Sequence, residues 1–413
     1  MAINPQSWSF CDGEGGLTRR QVLGGICVAA GGLLTVPGLA QVSFGHPNHV
    51  DHTLVNIFLR GGADGLNMVI PDSDRDYHDA RPSLALKRSP HRLNDQFALH
   101  PSLAALMPHY ESGEWLVLHA VGSMDQTRSH FEAMSAMERG VGSAIERDVT
   151  GWVARFLQAQ GAGSPLEAVA FSHVTPDSFR GATHALTIPS LESYRLETED
   201  PRWMNKLAQL YAHPQDDMAK AGAETLKALD RLKRVGNSQG QGRAYPESEL
   251  GQGLHQVAQL IRADVGLKVA CLDQGGWDTH IGQGVTTGWQ PSLLKTLGDA
   301  LAAFCHDLGD DLRRVTIVVQ TEFGRRLAEN SGLGTDHGRA STMWVLGGGV
   351  RGGQVLTDWP GLGKSDLEGP GDLRVTTDYR SVLGEVLVRR MGITDLDVVF
   401  PGWKPPKPLQ IFA

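Results

Sequence analysis

Short apolar runs alternate along this chain with longer segments of helical period. Residues 54–59, 115–121, 267–272, 315–320 and 343–346 read as strands. Between two of them, the stretch from Pro291 to Leu308 puts Leu293, Leu294, Leu297, Ala300, Leu301, Phe304 and Leu308 on one helical face, the pattern of a crossover helix. This alternation predicts an α/β fold: a doubly wound, mostly parallel sheet with helices on both faces.

Residues 204–235 also carry a helical period, and the Gly-, Gln-, Ser- and Pro-containing stretch 236–253 reads as a flexible connection. Together they predict a helical insertion near 200–255 within one domain, not a domain boundary. From Ser331 onward Gly-rich turns surround one helix near Tyr379 to Met391, and no internal repeat is present.

The first forty residues have another layout: a polar start, Thr18-Arg19-Arg20-Gln21-Val22-Leu23, and an apolar stretch broken by Gly24, Gly25, Gly31, Gly32 and Pro37. It closes on Gly38-Leu39-Ala40, which suits a peptidase that needs small side chains. The arginine pair resembles a twin-arginine export motif. Residues 1–40 are therefore expected to be a signal peptide cleaved after Ala40, and residues 41–413 a single domain, periplasmic or secreted, with the twin-arginine translocase as its transient partner. An uncleaved signal would instead leave a membrane-tethered protein.

No second apolar stretch approaches the roughly 20 residues of a membrane span. The net charge of −8, with both signs interspersed and no Lys/Arg-rich run, argues against a nucleic-acid surface. Beyond the signal only Cys271 and Cys305 remain, one ending a strand candidate and the other in a helix, and both read as buried thiols. His46, His49 and His52 read as a solvated arm. Gly347 to Gly352 satisfies a dinucleotide-binding spacing, but the residues after it cannot open the helix that such a site needs.

The chemistry gathers directly behind the strand candidates, where open α/β sheets bind ligands. Residues 54–59 run into Arg60-Gly-Gly-Ala-Asp64-Gly-Leu-Asn67, and residues 115–121 lead to Asp125-Gln-Thr127-Arg128-Ser129-His130. Residues 267–272 precede Asp273-Gln-Gly-Gly-Trp277-Asp278-Thr279-His280. Residues 315–320 precede Thr321-Glu322-Phe323-Gly324-Arg325, and a last cluster is Gly334-Thr335-Asp336-His337-Gly338-Arg339. Carboxylates and imidazoles from several strand ends are what a divalent cation needs, because no single loop surrounds it. Taken singly, Asp64 and Asp278 could equally be turn residues and His337 a cap.

These motifs, in this order and across the whole mature chain, resemble the domain of unknown function 1501 family, which is similar in turn to the alkaline phosphatase and sulfatase superfamily. That resemblance implies an alkaline phosphatase-like sheet, one or two divalent metals (Zn, Mg, Mn or Ca) and a Ser or Thr nucleophile. Carried over by position, Asp64 and Glu322 would hold one metal, and Asp278, His280 and His337 the other. Ser129, with Thr127 in reserve, would be the nucleophile, and Arg128, Arg325 or Arg339 would fork onto the ester's oxygens. Phe323 departs from the superfamily, which places a histidine ligand there. The implied outcomes are a metal site lost, rebuilt by Asp336 or His130, or never filled. The resemblance implies an exported hydrolase of phosphate or sulfate esters, on small molecules or polysaccharides. Its alternative is a non-catalytic, metal-stabilised binding or assembly protein.

Overall fold

The computed structural model describes residues 52–142, 150–161, 163–193 and 244–413, with scattered residues between 206 and 232. The expected export signal, His46, His49 and most of the predicted insertion lie outside the described residues. No helix among the described residues is long and apolar enough to cross a membrane.

The sheet strands in chain order are β1 (Thr53–Leu59), β2 (Trp115–Gly122), β3 (Ala168–Phe171), β4 (Leu186–Ile188), β5 (Val269–Gln274) and β6 (Val315–Thr321). A ribbon follows, β7 (Arg325–Glu329) against β8 (Thr335–His337), then β9 (Ser341–Gly347), β10 (Gln354–Leu356) and β11 (Thr377–Asp378). Excluding the ribbon, nine strands form one sheet in the order β10-β2-β9-β6-β1-β5-β3-β4, with β11 beside β2. Pairing is parallel throughout except for β9, which is antiparallel to both β6 and β2. The expected mostly parallel sheet is present. The carboxyl ends of β1, β2, β5 and β6 therefore share one edge, and β9 enters the sheet there because it runs the other way.

Among the described residues, five helices of nine residues or more cover the two faces: α1 (His130–Arg139), α2 (Trp152–Gln160), α3 (Glu249–Arg262), α4 (Trp289–Leu308) and α5 (Tyr379–Arg389). Side chains of successive strand residues point to opposite faces. Val55, Ile57 and Leu59 accordingly join the core under α3 and α4, while Leu54 and Phe58 join the core under α1, α2 and α5. Both faces are buried, which explains why these strand runs are mostly apolar on both sides and do not alternate strictly with polar residues. Truncation of a fully buried residue such as Ile57 to alanine costs about 2–5 kcal/mol. Cys271 and Cys305 are buried free thiols, as read from the sequence.

Two expectations change. The connection expected over residues 236–253 gives way at Glu249 to α3, whose Ser248 side chain caps the Gly251 N–H. Gly253 misleads the sequence reading because its role is steric: a Cβ there would stand 2.5 Å from Leu272 Cδ2, so glycine lets α3 lie close on β5. His52 is half-buried, with Nε2 2.9 Å from Thr316 Oγ1, and is not a solvated residue.

Candidate metal centre

Each loop at the carboxyl edge delivers one part of the site. Ser129, with extended backbone, ends the loop from β2 and makes His130 the first residue of α1, which Gly140 closes in the left-handed conformation. After β5 the chain turns through Gly276 and presents Asp278 and His280. The turn after β1 passes so close to this loop that a Cβ on Gly61, at φ +119, would lie 2.6 Å from the Asp278 N. His337 ends β8 of the ribbon, just before the chain enters β9.

His130, Asp278 and His337 converge, their ligand atoms all within 4.8 Å of one another. From Asp278 Oδ1 the distances are 3.1 Å to His337 Nε2, 3.2 Å to His280 Nε2 and 3.3 Å to His130 Nε2. His280 and His337 bring their Nε2 atoms to 2.9 Å. The Asp278 side chain is 47% exposed and that of His280 38%, so the cluster opens to solvent.

The other nitrogen of every ring is engaged. His130 Nδ1 lies 2.7 Å from Glu322 Oε1, His280 Nδ1 3.2 Å from Asp336 Oδ1, and His337 Nδ1 2.8 Å from the Arg128 carbonyl. All three partners accept only, so each Nδ1 carries the proton and each neutral Nε2 offers a lone pair. Three lone pairs then face a carboxylate oxygen at 3.1–3.3 Å, and buried His130 Nε2 has no hydrogen-bond partner among the described residues. Ligands about 2.0–2.1 Å from a tetrahedral ion stand about 3.3 Å apart. Imidazoles fixed through Nδ1 by carboxylate or carbonyl are the usual second layer of a metal site. The donor set fits a cation and favours a borderline ion such as zinc over magnesium or calcium.

Electrostatics hold the set together. Burial alone would raise the Asp278 carboxyl, but the hydrogen bond and charge of Arg325 outweigh it and hold it down at about 2. The Glu322 hydrogen bond raises His130 against partial burial, whereas burial lowers His337. Phe323, where the resemblance implied a ligand, is buried and packs on His130 and His337 with ring centroids 4.8 and 5.0 Å away. It walls the inner side of the site.

The structure corrects several expected roles. Asp64 is not beside the cluster's donors: it is buried, with Arg81 donating to both its oxygens at 2.6 and 3.0 Å and Gln283 donating at 2.6 Å. Glu322 and Asp336 orient His130 and His280 and do not join the Nε2 cluster. Glu322 also accepts from the Gly61 N–H and the Thr321 hydroxyl, fixing it between β1 and β6.

Arg128 is held by buried Asp372, so its guanidinium is not free to fork onto an ester. Arg325 is buried and donates to the carbonyls of Gly62, Thr335 and Trp277 and to Asp278, which makes it a bracket between the site's loops. Thr127 Oγ1 donates to Glu132 and accepts from the Ser129 N–H. The Ser129 hydroxyl caps nothing. The resemblance offered His130 both beside the nucleophile and as a replacement ligand, and its place at the start of α1 brings its Nε2 to the cluster. Arg81 and Gln283, which neutralise Asp64, lie in stretches without a motif.

The fold is similar to solved structures of distant sequence. A sulfatase from Pseudoalteromonas sp. aligns over 88% of this chain and 72% of its own at 12% identity and a TM-score of 0.39. The phosphonate monoester hydrolase of Agrobacterium radiobacter aligns over 86% and 79% at 9% identity and a TM-score of 0.32. A Pyrococcus horikoshii protein aligns over 86% and 98% at 12% identity and a TM-score of 0.29. At these scores none supplies a residue correspondence. No curated protein sequence matches the chain. Residues 51–400 match the family described as "Protein of unknown function (DUF1501)", and the chain belongs to that family.

Proposed function

We propose that this protein is an exported, metal-dependent hydrolase of phosphate or sulfate esters, with His130, Asp278 and His337 holding the ion and His280 at its edge. The observation that carries the reading is the convergence of three Nε2 lone pairs on Asp278 Oδ1, each ring fixed through its Nδ1. Export rests on Arg19-Arg20 and the apolar stretch that follows.

When bound, such an ion supplies Lewis-acid activation of an oxygen nucleophile at neutral pH. The chain's residues do the positioning. Glu322, Asp336 and the Arg128 carbonyl keep the Nδ1 protons in place, and Arg325 keeps Asp278 ionised. Ser129 offers an uncommitted hydroxyl next to His130, at the N-terminus of a ten-residue helix whose dipole favours an anion. Phe323 excludes water from behind. Three histidine and carboxylate ligands leave a position for substrate, as catalytic sites require.

One observation favours a second reading, a non-catalytic binding or assembly protein stabilised by the same metal. Arg128, Arg325 and Arg339, the guanidinium groups expected to grip an ester, are all engaged internally, Arg339 with Glu368 and the Ser123 carbonyl. The two readings separate by elemental analysis and turnover together. Mature protein purified without chelator is compared with the variant His130→Ala, Asp278→Ala, His337→Ala, each assayed on aryl phosphate and aryl sulfate. One ion per chain, lost in the variant together with turnover, supports the hydrolase. A bound ion without turnover of either ester supports the binding protein, and no ion in either sample sinks both.

A further inference from the structure

A cleft of about 620 Å³ lies between α5 and the chain's last residues. It is remote from the metal cluster. Arg351, on its wall, follows β9, whose Gly347 pairs with Thr316 at the start of β6, whereas Glu322 follows the end of β6. Seven residues of strand separate those levels, about 20 Å.

The cleft joins two chemistries. Val388, Leu396, Trp403 and Phe412 contribute an apolar wall, with Val388 41% exposed. Arg351, Arg389 and Lys407 stand exposed around it, and none forms an ion pair among the described residues. Glu385 forms no ion pair with them among the described residues; its carboxylate accepts the backbone N–H groups of Leu409, Gln410 and Ile411 at 2.7, 3.1 and 2.7 Å. Even counting Glu385 and a carboxylate at Ala413, positive charge leads three to two. Ser381, 7% exposed, also lines the cleft, and its buried hydroxyl has no hydrogen-bond partner among the described residues.

We infer that this cleft binds an amphipathic organic anion, a carboxylate carried on an alkyl chain, as a soluble molecule. The apolar wall removes the chain from water, the three cations attract the carboxylate, and Ser381 Oγ supplies a donor. The volume lies within the roughly 300–1,000 Å³ of ordinary ligand sites. This inference is independent of the proposed activity.

The test is titration calorimetry of the full-length mature protein with decanoate below its micelle concentration, with 1-decanol as the neutral control and phosphatidylglycerol vesicles as the lipid-bound anion. The inference predicts saturable one-to-one decanoate binding that decanol does not reproduce. Arg389→Ala with Lys407→Ala, at exposed positions, weakens it about tenfold, near 1.4 kcal/mol. Ser381→Ala weakens it too without lowering the melting temperature, since it removes an unpartnered buried hydroxyl. His280→Ala leaves it unchanged. No saturable binding, equal affinity for decanol, an unaltered charge variant, or binding to vesicles alone would each overturn the inference.

Discussion

Glu322 Oε1 stands 2.7 Å from His130 Nδ1, and through this contact the end of β6 fixes the tautomer of a ring delivered by the loop after β2. The same carboxylate accepts the Gly61 N–H at 2.9 Å, so three strands meet at one side chain. A residue expected to bind metal instead decides which nitrogen of its neighbour is free to do so.

Glu322→Gln removes the charge and keeps the shape. Metal affinity is expected to fall about 10–100-fold with the fold intact, as for other partners of ligating histidines. Competition titration against a chelating dye measures it, and an unchanged affinity removes Glu322 from the site.

Asp64→Ala has a different signature. It leaves Arg81 buried without its partner, for a loss of about 3–5 kcal/mol in urea unfolding. The metal content of the protein that remains folded stays at the wild-type ratio. Loss of metal without loss of stability would return Asp64 to the ligand set.

Ser129→Ala separates nucleophile from scaffold. Its hydroxyl makes no capping bond, so stability and metal content are expected to hold while ester turnover drops by at least about a hundredfold. Turnover equal to wild type excludes Ser129 from the chemistry.

His119 predicts acid lability. Buried on β2, it donates from Nε2 to the Val69 carbonyl at 2.9 Å and accepts the Ala120 N–H on Nδ1 at 2.8 Å, an arrangement only the neutral ring makes. Burial pushes its pKa down to about 4, against about 6.5 in the unfolded chain. Between those values the unfolded state binds the extra proton. Its contribution is therefore complete above pH 6.5 and is lost as pH falls toward 4, roughly 3 kcal/mol in all. Unfolding free energies measured across this window, with a flatter slope in His119→Gln, check it.

Gly61→Ala places a Cβ 2.6 Å from the Asp278 N at a φ of +119 that alanine resists. A stability loss of about 1–3 kcal/mol and weaker metal binding are expected together, because the strain falls on the loop that carries Asp278. Thermal melts with and without added zinc report both.

The sequence by itself determined the five central strands of the sheet, the crossover helix and the edge at which chemistry collects, while the shorter outer strands β3, β4, β10 and β11 were not legible in it. Runs such as residues 54–59, with Leu54 and Phe58 on one face and Val55, Ile57 and Leu59 on the other, are legible because parallel strands bury both sides. It also determined Asp278, His280 and His337 as residues placed to meet, since each follows or closes a strand at that edge. What it did not determine is which atoms face one another. Asp64 and Glu322 both follow strands at this edge, yet Arg81 and Gln283 capture one while His130 and Gly61 capture the other. Those partners lie 17 to 261 residues away in the chain. Whether a carboxylate binds metal, orients a histidine or neutralises a buried arginine depends on what the fold brings within about 3 Å of it, and only the tertiary structure sets that distance.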